Sequence, residues 1–151
     1  MANIQFKIEP VLSVKPEMEI LLLDHYEELT LNKSVVKLNP DWEDYDRLEL
    51  AKKFILITVR LESALIGYIA FFIKPHIHYK DLIVASNDVL YLKKEYRLGM
   101  TGVRMLKYAE QTVKELGADK ITWHVKHSSD FRPILHRMGY IDEDIIVGKI
   151  L

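Results

Sequence analysis

Cysteine is absent from all 151 residues, which removes disulfides, thiolate–metal sites and a covalent thioester on the protein. Six glycines and five prolines are too few for a flexible linker, and no repeat or low-complexity tract interrupts the chain. One domain spanning residues 1–151 is therefore expected. Neither sign of charge dominates: 21 basic and 22 acidic residues leave a formal net charge of −1. No overall field attracts nucleic acid or an anionic membrane, and neither is expected as a partner. Apolar runs such as residues 65–73 fall far short of a membrane span. The first residues, Met1-Ala2-Asn3-Ile4-Gln5-Phe6-Lys7, lack the basic-then-apolar order of a secretory signal, so a soluble cytoplasmic protein is expected. There is no Gly-x-Ser-x-Gly nucleophile elbow. Six histidines lack carboxylate partners at ligand spacing, so no metal is expected.

Apolar residues make up 49% of the chain, enough for a packed core. Residues 4–8 alternate and predict a strand. Pro16 sits where the first residue of a helix would, and residues 17–29 carry Met18, Leu21, Leu22 and Tyr26 at helical spacing. Asp41 after Pro40 reads as an N-cap for a second helix over residues 42–53. Residues 54–60 and 65–73 predict a hairpin across Glu62-Ser63. Residues 82–85 begin a further strand, and residues 88–92 form another stretch of β pattern. A helix opens near Gly102, with Val103, Leu106, Ala109, Val113 and Leu116 on one stripe and Gly117 beyond its end. Strands over 120–126 and 145–151 flank a short helix over 131–138. The order β-α-α-β-β-β-α-β-α-β predicts an α/β fold: a mixed, mostly antiparallel sheet with helices on both faces.

Arg97-Leu98-Gly99-Met100-Thr101-Gly102 joins the strand over 88–92 to the following helix. A strand that turns into a helix N-terminus through small residues aims several unpaired N–H groups at one point. Hydrogen bonding and the helix dipole both favour an anion there. The pattern predicts a phosphate-bearing ligand held by main chain. A second glycine placed only for helix–sheet packing would leave the same trace.

With Arg137-Met138-Gly139-Tyr140 about 40 residues further on, this arrangement resembles the GNAT superfamily of N-acetyltransferases, in particular its compact bacterial and phage members. The resemblance covers nearly the whole chain and is strongest over residues 88–140. It implies acetyl-coenzyme A as co-substrate, with no metal, and transfer to an amine on a small molecule, peptide or protein. The family fingerprint is Gln or Arg, two residues, Gly, one residue, then Gly or Ala. Arg97 and Gly102 fall on its ends, while Met100 stands where the first Gly is expected and Gly99 lies one residue early. The match implies cofactor contacts from Leu92, Arg97, Leu98, Gly99, Met100, Thr101, Gly102 and Val103. Leu90, Tyr91 and Leu92 would pair with the pantetheine amides as an added strand. Met100 would point away from the ligand, since its N–H suffices.

Acetyl transfer needs a neutral amine, and an amine of pKa near 10.4 is neutral to only about one part in 2,000 at pH 7. Asp88 is the expected base, placed by alternation on the face of Leu90 and Leu92; pairing with a neighbouring base is the alternative. The tyrosine that the family often places four residues before its last glycine is Leu135 here, and His136 is turned about 100° from it on a helix. Tyr140 reads as core. His76, His78 and Tyr79 are expected to shape the acceptor site, with Trp42, Tyr45 and Asp46 on the opposite wall, or with Trp42 and Tyr45 in the core. Glu43, Asp44, Asp46 and Glu49 form an acidic helix face that would attract a cationic amine if it bordered the cleft. A GNAT-fold binding module without catalysis, and a nucleotide-binding α/β protein, are competing expectations. Exposed strand edges leave a homodimer open.

Overall fold

The computed structural model describes residues 3–151. One sheet runs in the order β1 (Ile4–Ile8), β2 (Phe54–Leu61), β3 (Ala64–Pro75), β4 (Ile83–Leu92) and β5 (Lys120–Thr122). The first four strands pair antiparallel, and β5 lies parallel to β4. Helices α1 (Val11–Leu29) and α2 (Trp42–Leu50) cover one face, with Val14, Met18 and Leu21 packed on Leu56, Tyr68 and Ala70. Helix α3 (Thr101–Glu115) covers the other, with Met105, Ala109 and Val113 packed on Ile57, Ile69 and Phe71. Because both faces are covered, β2 and β3 read as near-continuous apolar runs. The short α4 (Arg132–Arg137) follows β5. This is the expected α/β architecture.

Five local expectations are corrected. Helix α1 begins at Val11, so Pro16 lies inside it and leaves one carbonyl of the preceding turn without its usual donor. The first turn forms nonetheless because Val11 and Val14 are buried and the Glu49 carboxylate accepts the Val11 N–H at 3.2 Å. Residues 83–92 form one strand with a bulge rather than two stretches of β pattern. The stripe of α3 is rotated toward Met105 and Thr112, leaving Leu116 half exposed. Finally, β5 stops at Thr122, and residues 145–151 form no strand, with Ile145 87% and Val147 89% exposed. A strand exists only as a hydrogen-bonded pair, and this segment pairs with none of the five strands.

Gly67 lets β3 and β4 approach closely: a Cβ there would sit 2.7 Å from the Tyr91 carbonyl oxygen.

Candidate active site

Strand β4 is paired on both sides only at its start. β5 accompanies it from Val84 to Ser86. Beyond that, the Asn87 side-chain oxygen accepts the His124 main-chain N–H at 2.6 Å, bridging the point where the strands part. On the other side, Ala70 pairs with Val89 and Phe71 with Asn87, so Asp88 is the extra residue of a bulge. A bulge bends a strand and reverses its alternation. Ile83 and Ala85 lie on the α3 face before it, and Leu90 and Leu92 after it.

The bulge corrects the expected direction of Asp88. Its carboxylate points to the α1–α2 face, where the Tyr45 hydroxyl donates to it at 2.6 Å, away from Leu90 and Leu92. Burial and the neighbouring Asp88 carboxylate raise the Tyr45 pKa, so the phenol stays protonated and donating. Asp88 itself is exposed.

After the bulge, the Lys93 N–H donates to the Ile66 carbonyl on β3. Alternation then turns the main-chain groups of Leu90 and Leu92 toward the unpaired edge, and Tyr91 toward β3. An amide-bearing ligand can add there as a strand.

The chain next passes through a single 3₁₀ turn, Lys94–Tyr96, to the N-terminus of α3. Gly99 has φ +78°, a conformation that glycine adopts without a Cβ penalty. Arg104 makes the first main-chain bond of the helix, to the Met100 carbonyl. The N–H groups of Thr101, Gly102 and Val103 precede it and have no intrahelical acceptor. Among the described residues no side chain caps this end, and its first turn contains no acid. A Cβ at Gly99 or at Gly102 would meet nothing within 4 Å. Uncapped N–H groups, a favourable dipole and open space fit a diphosphate. Leu98 is 86% and Met100 62% exposed, so neither side chain is packed into the fold.

Arg97 behaves differently. Its guanidinium turns inward, paired through both amino nitrogens with Glu28 on α1 (2.8 Å from Nη2 to Oε2), while Nε–H donates to the Leu92 carbonyl at 2.6 Å. It also lies 5.3 Å from the Tyr91 ring centroid. The side chain thus latches the loop to α1 and to the end of β4. The Arg97 hydrogen bond, first among the causes, lowers the Glu28 pKa.

Beside this latch the Tyr91 ring stacks on His25 at 5.0 Å, and the His25 Nδ1 lies 2.6 Å from the buried Tyr68 hydroxyl. Sequence reasoning missed His25 and Glu28; their three-residue spacing on α1 is ordinary helix patterning. Burial, followed by the Lys126 charge, lowers the His25 pKa from 6.5 to about 4. The unfolded chain therefore binds a proton there that the fold refuses. This stabilisation is full above pH 6.5 and is lost as pH falls toward 4, to a limit of about 3 kcal/mol. The melting temperature should drop across that window, and less steeply in His25→Gln. Parallel pH profiles for the two proteins would show that His25 is not the titrating group.

A cavity of about 260 Å³ lies on the α1–α2 face, walled by Leu22, Val36, Leu38, Trp42, Tyr45 and Val89 among others. Of the expected acceptor residues, Trp42 lines it. His76, His78 and Tyr79 do not: they cluster at the exposed β3–β4 turn, with Tyr79 5.0 and 4.9 Å from the two imidazoles. The acidic face of α2 is not part of the lining either. Asp44 pairs with Arg47, and Glu49 is turned to Val11. Leu135 is 4% exposed and belongs to the packing, so the family's usual tyrosine position is closed to solvent. His136 pairs with Asp142 at 2.8 Å, and Tyr140 donates to Glu110. Among the described residues no group of three or more potential ligands is placed to hold a metal ion.

A strand with one free edge thus runs into an uncapped helix N-terminus, with a separate cavity beside it. The sequence model of the acetyltransferase (GNAT) family matches residues 19–140. The chain belongs to this family, and is an acetyl-coenzyme A-dependent acetyltransferase. No curated protein matches it. Among solved structures it is similar to an aminoglycoside acetyltransferase from an uncultured soil sample, at 14% identity and TM-score 0.76, over 99% of this chain and 98% of that one. It is also similar to a ribosomal-protein-alanine N-acetyltransferase from Brucella melitensis, at 15% identity and TM-score 0.71, over 99% of both chains. A predicted acetyltransferase from Clostridium acetobutylicum, solved with acetyl-coenzyme A, shares 13% identity at TM-score 0.71 over 98% and 96%. At such identities the likeness is one of fold.

Proposed function

We propose that this chain, acting as one domain, moves the acetyl group directly from acetyl-coenzyme A to a primary amine in a ternary complex. The carrier's diphosphate is held by the N–H groups at the start of α3, and its pantetheine amides pair along the free edge of β4 with the main chain of Leu90 and the N–H of Leu92, whose carbonyl Arg97 already occupies. The acceptor enters from the α1–α2 face and presents its nitrogen beside Asp88. That nitrogen attacks the thioester carbonyl, the C–S bond breaks, and the amine proton passes to Asp88 directly or through water. An outward N–H of β4 stabilises the oxyanion. The thiolate leaves without a tyrosine acid, which a good leaving group permits, and takes its proton from water. With no cysteine in the chain, an acyl-cysteine intermediate has no carrier.

The observation that carries this reading is the position of Asp88. The bulge sets a carboxylate next to the point where β4 parts from β5, bonded to the hydroxyl of Tyr45, which belongs to the cavity wall. Among the described residues no helix is long and apolar enough to cross a membrane, and we place the enzyme in the cytoplasm, with its donor. Buried Leu135 favours a second reading, a module that binds coenzyme A without catalysis. Two measurements separate them. Saturating acetyl-coenzyme A should raise the melting temperature, and ATP should not. Thiol release should then be faster with an amine than without one. Absence of any shift would sink both readings, and a shift without amine-dependent release would leave only the module.

A further inference from the structure

The chemistry of the cavity narrows the acceptor, and this step rests on the acetyl-transfer reading above. Its lining contains no carboxylate. The one charged residue there is Lys37, a cation whose Nζ donates to the Lys33 carbonyl at 2.9 Å. Tyr45, Tyr26 and Thr30 bring hydroxyls to the wall and Asn39 a side-chain amide; the Tyr26 hydroxyl is spent on the Val36 carbonyl at 2.7 Å. Trp42, Tyr45 and Phe54 form a run of tilted rings with centroids 6.3 and 4.8 Å apart. The acids of α2 face elsewhere, so Asp88, held by Tyr45 at the edge of this wall, is the carboxylate available to an entering amine.

From this we infer that the acceptor is a monoamine carrying a single apolar group, aromatic or branched aliphatic, that fills the cavity while its nitrogen meets Asp88. A polyamine or amino sugar would bring further ammonium groups to a lining that, among the described residues, holds the Lys37 cation and no carboxylate, and much of its polar surface would face apolar wall. The volume, about 260 Å³, is at the small end for ligand pockets and suits one such group.

Thiol release by the purified protein is measured with 2-phenylethylamine, isoamylamine, spermidine and kanamycin, alongside calorimetry with acetyl-coenzyme A and with N-acetyl-2-phenylethylamine. kcat/KM for one of the two apolar amines should exceed that for spermidine and kanamycin by roughly tenfold or more. Leu38→Arg should lower that value by a similar factor, through KM for the amine, with KM for acetyl-coenzyme A unchanged. Val36→Arg, at a more exposed wall position, gives the same test if Leu38→Arg melts early. Preference for spermidine or kanamycin, or an unchanged amine KM in both folded variants, overturns the inference and leaves acetyl transfer standing. So does acetyl-coenzyme A binding with neither turnover of an apolar amine nor heat from its acetylated product. Failure to bind acetyl-coenzyme A removes the acetyl-transfer reading itself, and the inference with it.

Discussion

Gly102→Glu should bind acetyl-coenzyme A at least a hundredfold more weakly while melting at the same temperature as the parent protein or slightly above it. Gly102 lies in the first turn of α3, and a Cβ there meets nothing within 4 Å, so the fold has room for a side chain. Replacing glycine in a helix removes an entropic cost of about 0.5–1 kcal/mol. An acid in the first turn complements the dipole by about 0.3–1 kcal/mol more. The same carboxylate occupies the space in front of three uncapped N–H groups and repels a diphosphate. Hundredfold weaker binding corresponds to about 2.7 kcal/mol. Stability and affinity therefore move in opposite directions, which general misfolding does not produce. Met100→Ala serves as the control and should bind within about threefold of the parent, because its exposed side chain contributes nothing that its N–H does not. Calorimetry reads both. Unimpaired binding by Gly102→Glu would place the diphosphate elsewhere.

The junction was legible because its physics is local. A β-patterned run, then Gly99 and Gly102, then an amphipathic helix, states in sequence what the main chain does. Asp41 as N-cap was legible for the same reason, and its side chain accepts the Asp44 N–H at 2.9 Å. What escaped depended on partners distant in the chain. The bulge at Asp88 changes which parity of β4 faces α3; in one dimension that change looks like a break between two pieces of strand. Alternation read without the bulge therefore puts Asp88 on the face opposite to the one it occupies. Pro16 marks a helix start only in isolation; the Glu49 carboxylate, 38 residues from Val11, extends the helix behind it. Residues 145–151 have the composition of a strand, but composition does not supply a neighbouring edge. The Arg97–Glu28 pair spans 69 residues, and no periodicity in either segment announces it. The motif position of Arg97 carries no sign that its side chain also ties the loop to Glu28 and to the Leu92 carbonyl.

Asp88→Asn should lower kcat/KM for the amine by at least a hundredfold near neutral pH, the range expected for loss of a general base, while KM for acetyl-coenzyme A stays unchanged. Asparagine is nearly isosteric, and its side-chain oxygen still accepts from the Tyr45 hydroxyl, so α2 stays docked and the cavity keeps its wall. What disappears is the acceptor for the proton that the attacking nitrogen must shed. At pH 7 only about one part in 2,000 of a typical amine is neutral. As pH approaches the amine's own pKa, near 10, that fraction rises and the base becomes dispensable. The gap between the two proteins should therefore narrow steadily from pH 7 to pH 10. Tyr45→Phe removes the donor to Asp88 but not the carboxylate, and should cost far less at every pH. A constant ratio between Asp88→Asn and parent across this range would assign Asp88 to positioning rather than proton transfer. Equal rates throughout would remove it from the reaction.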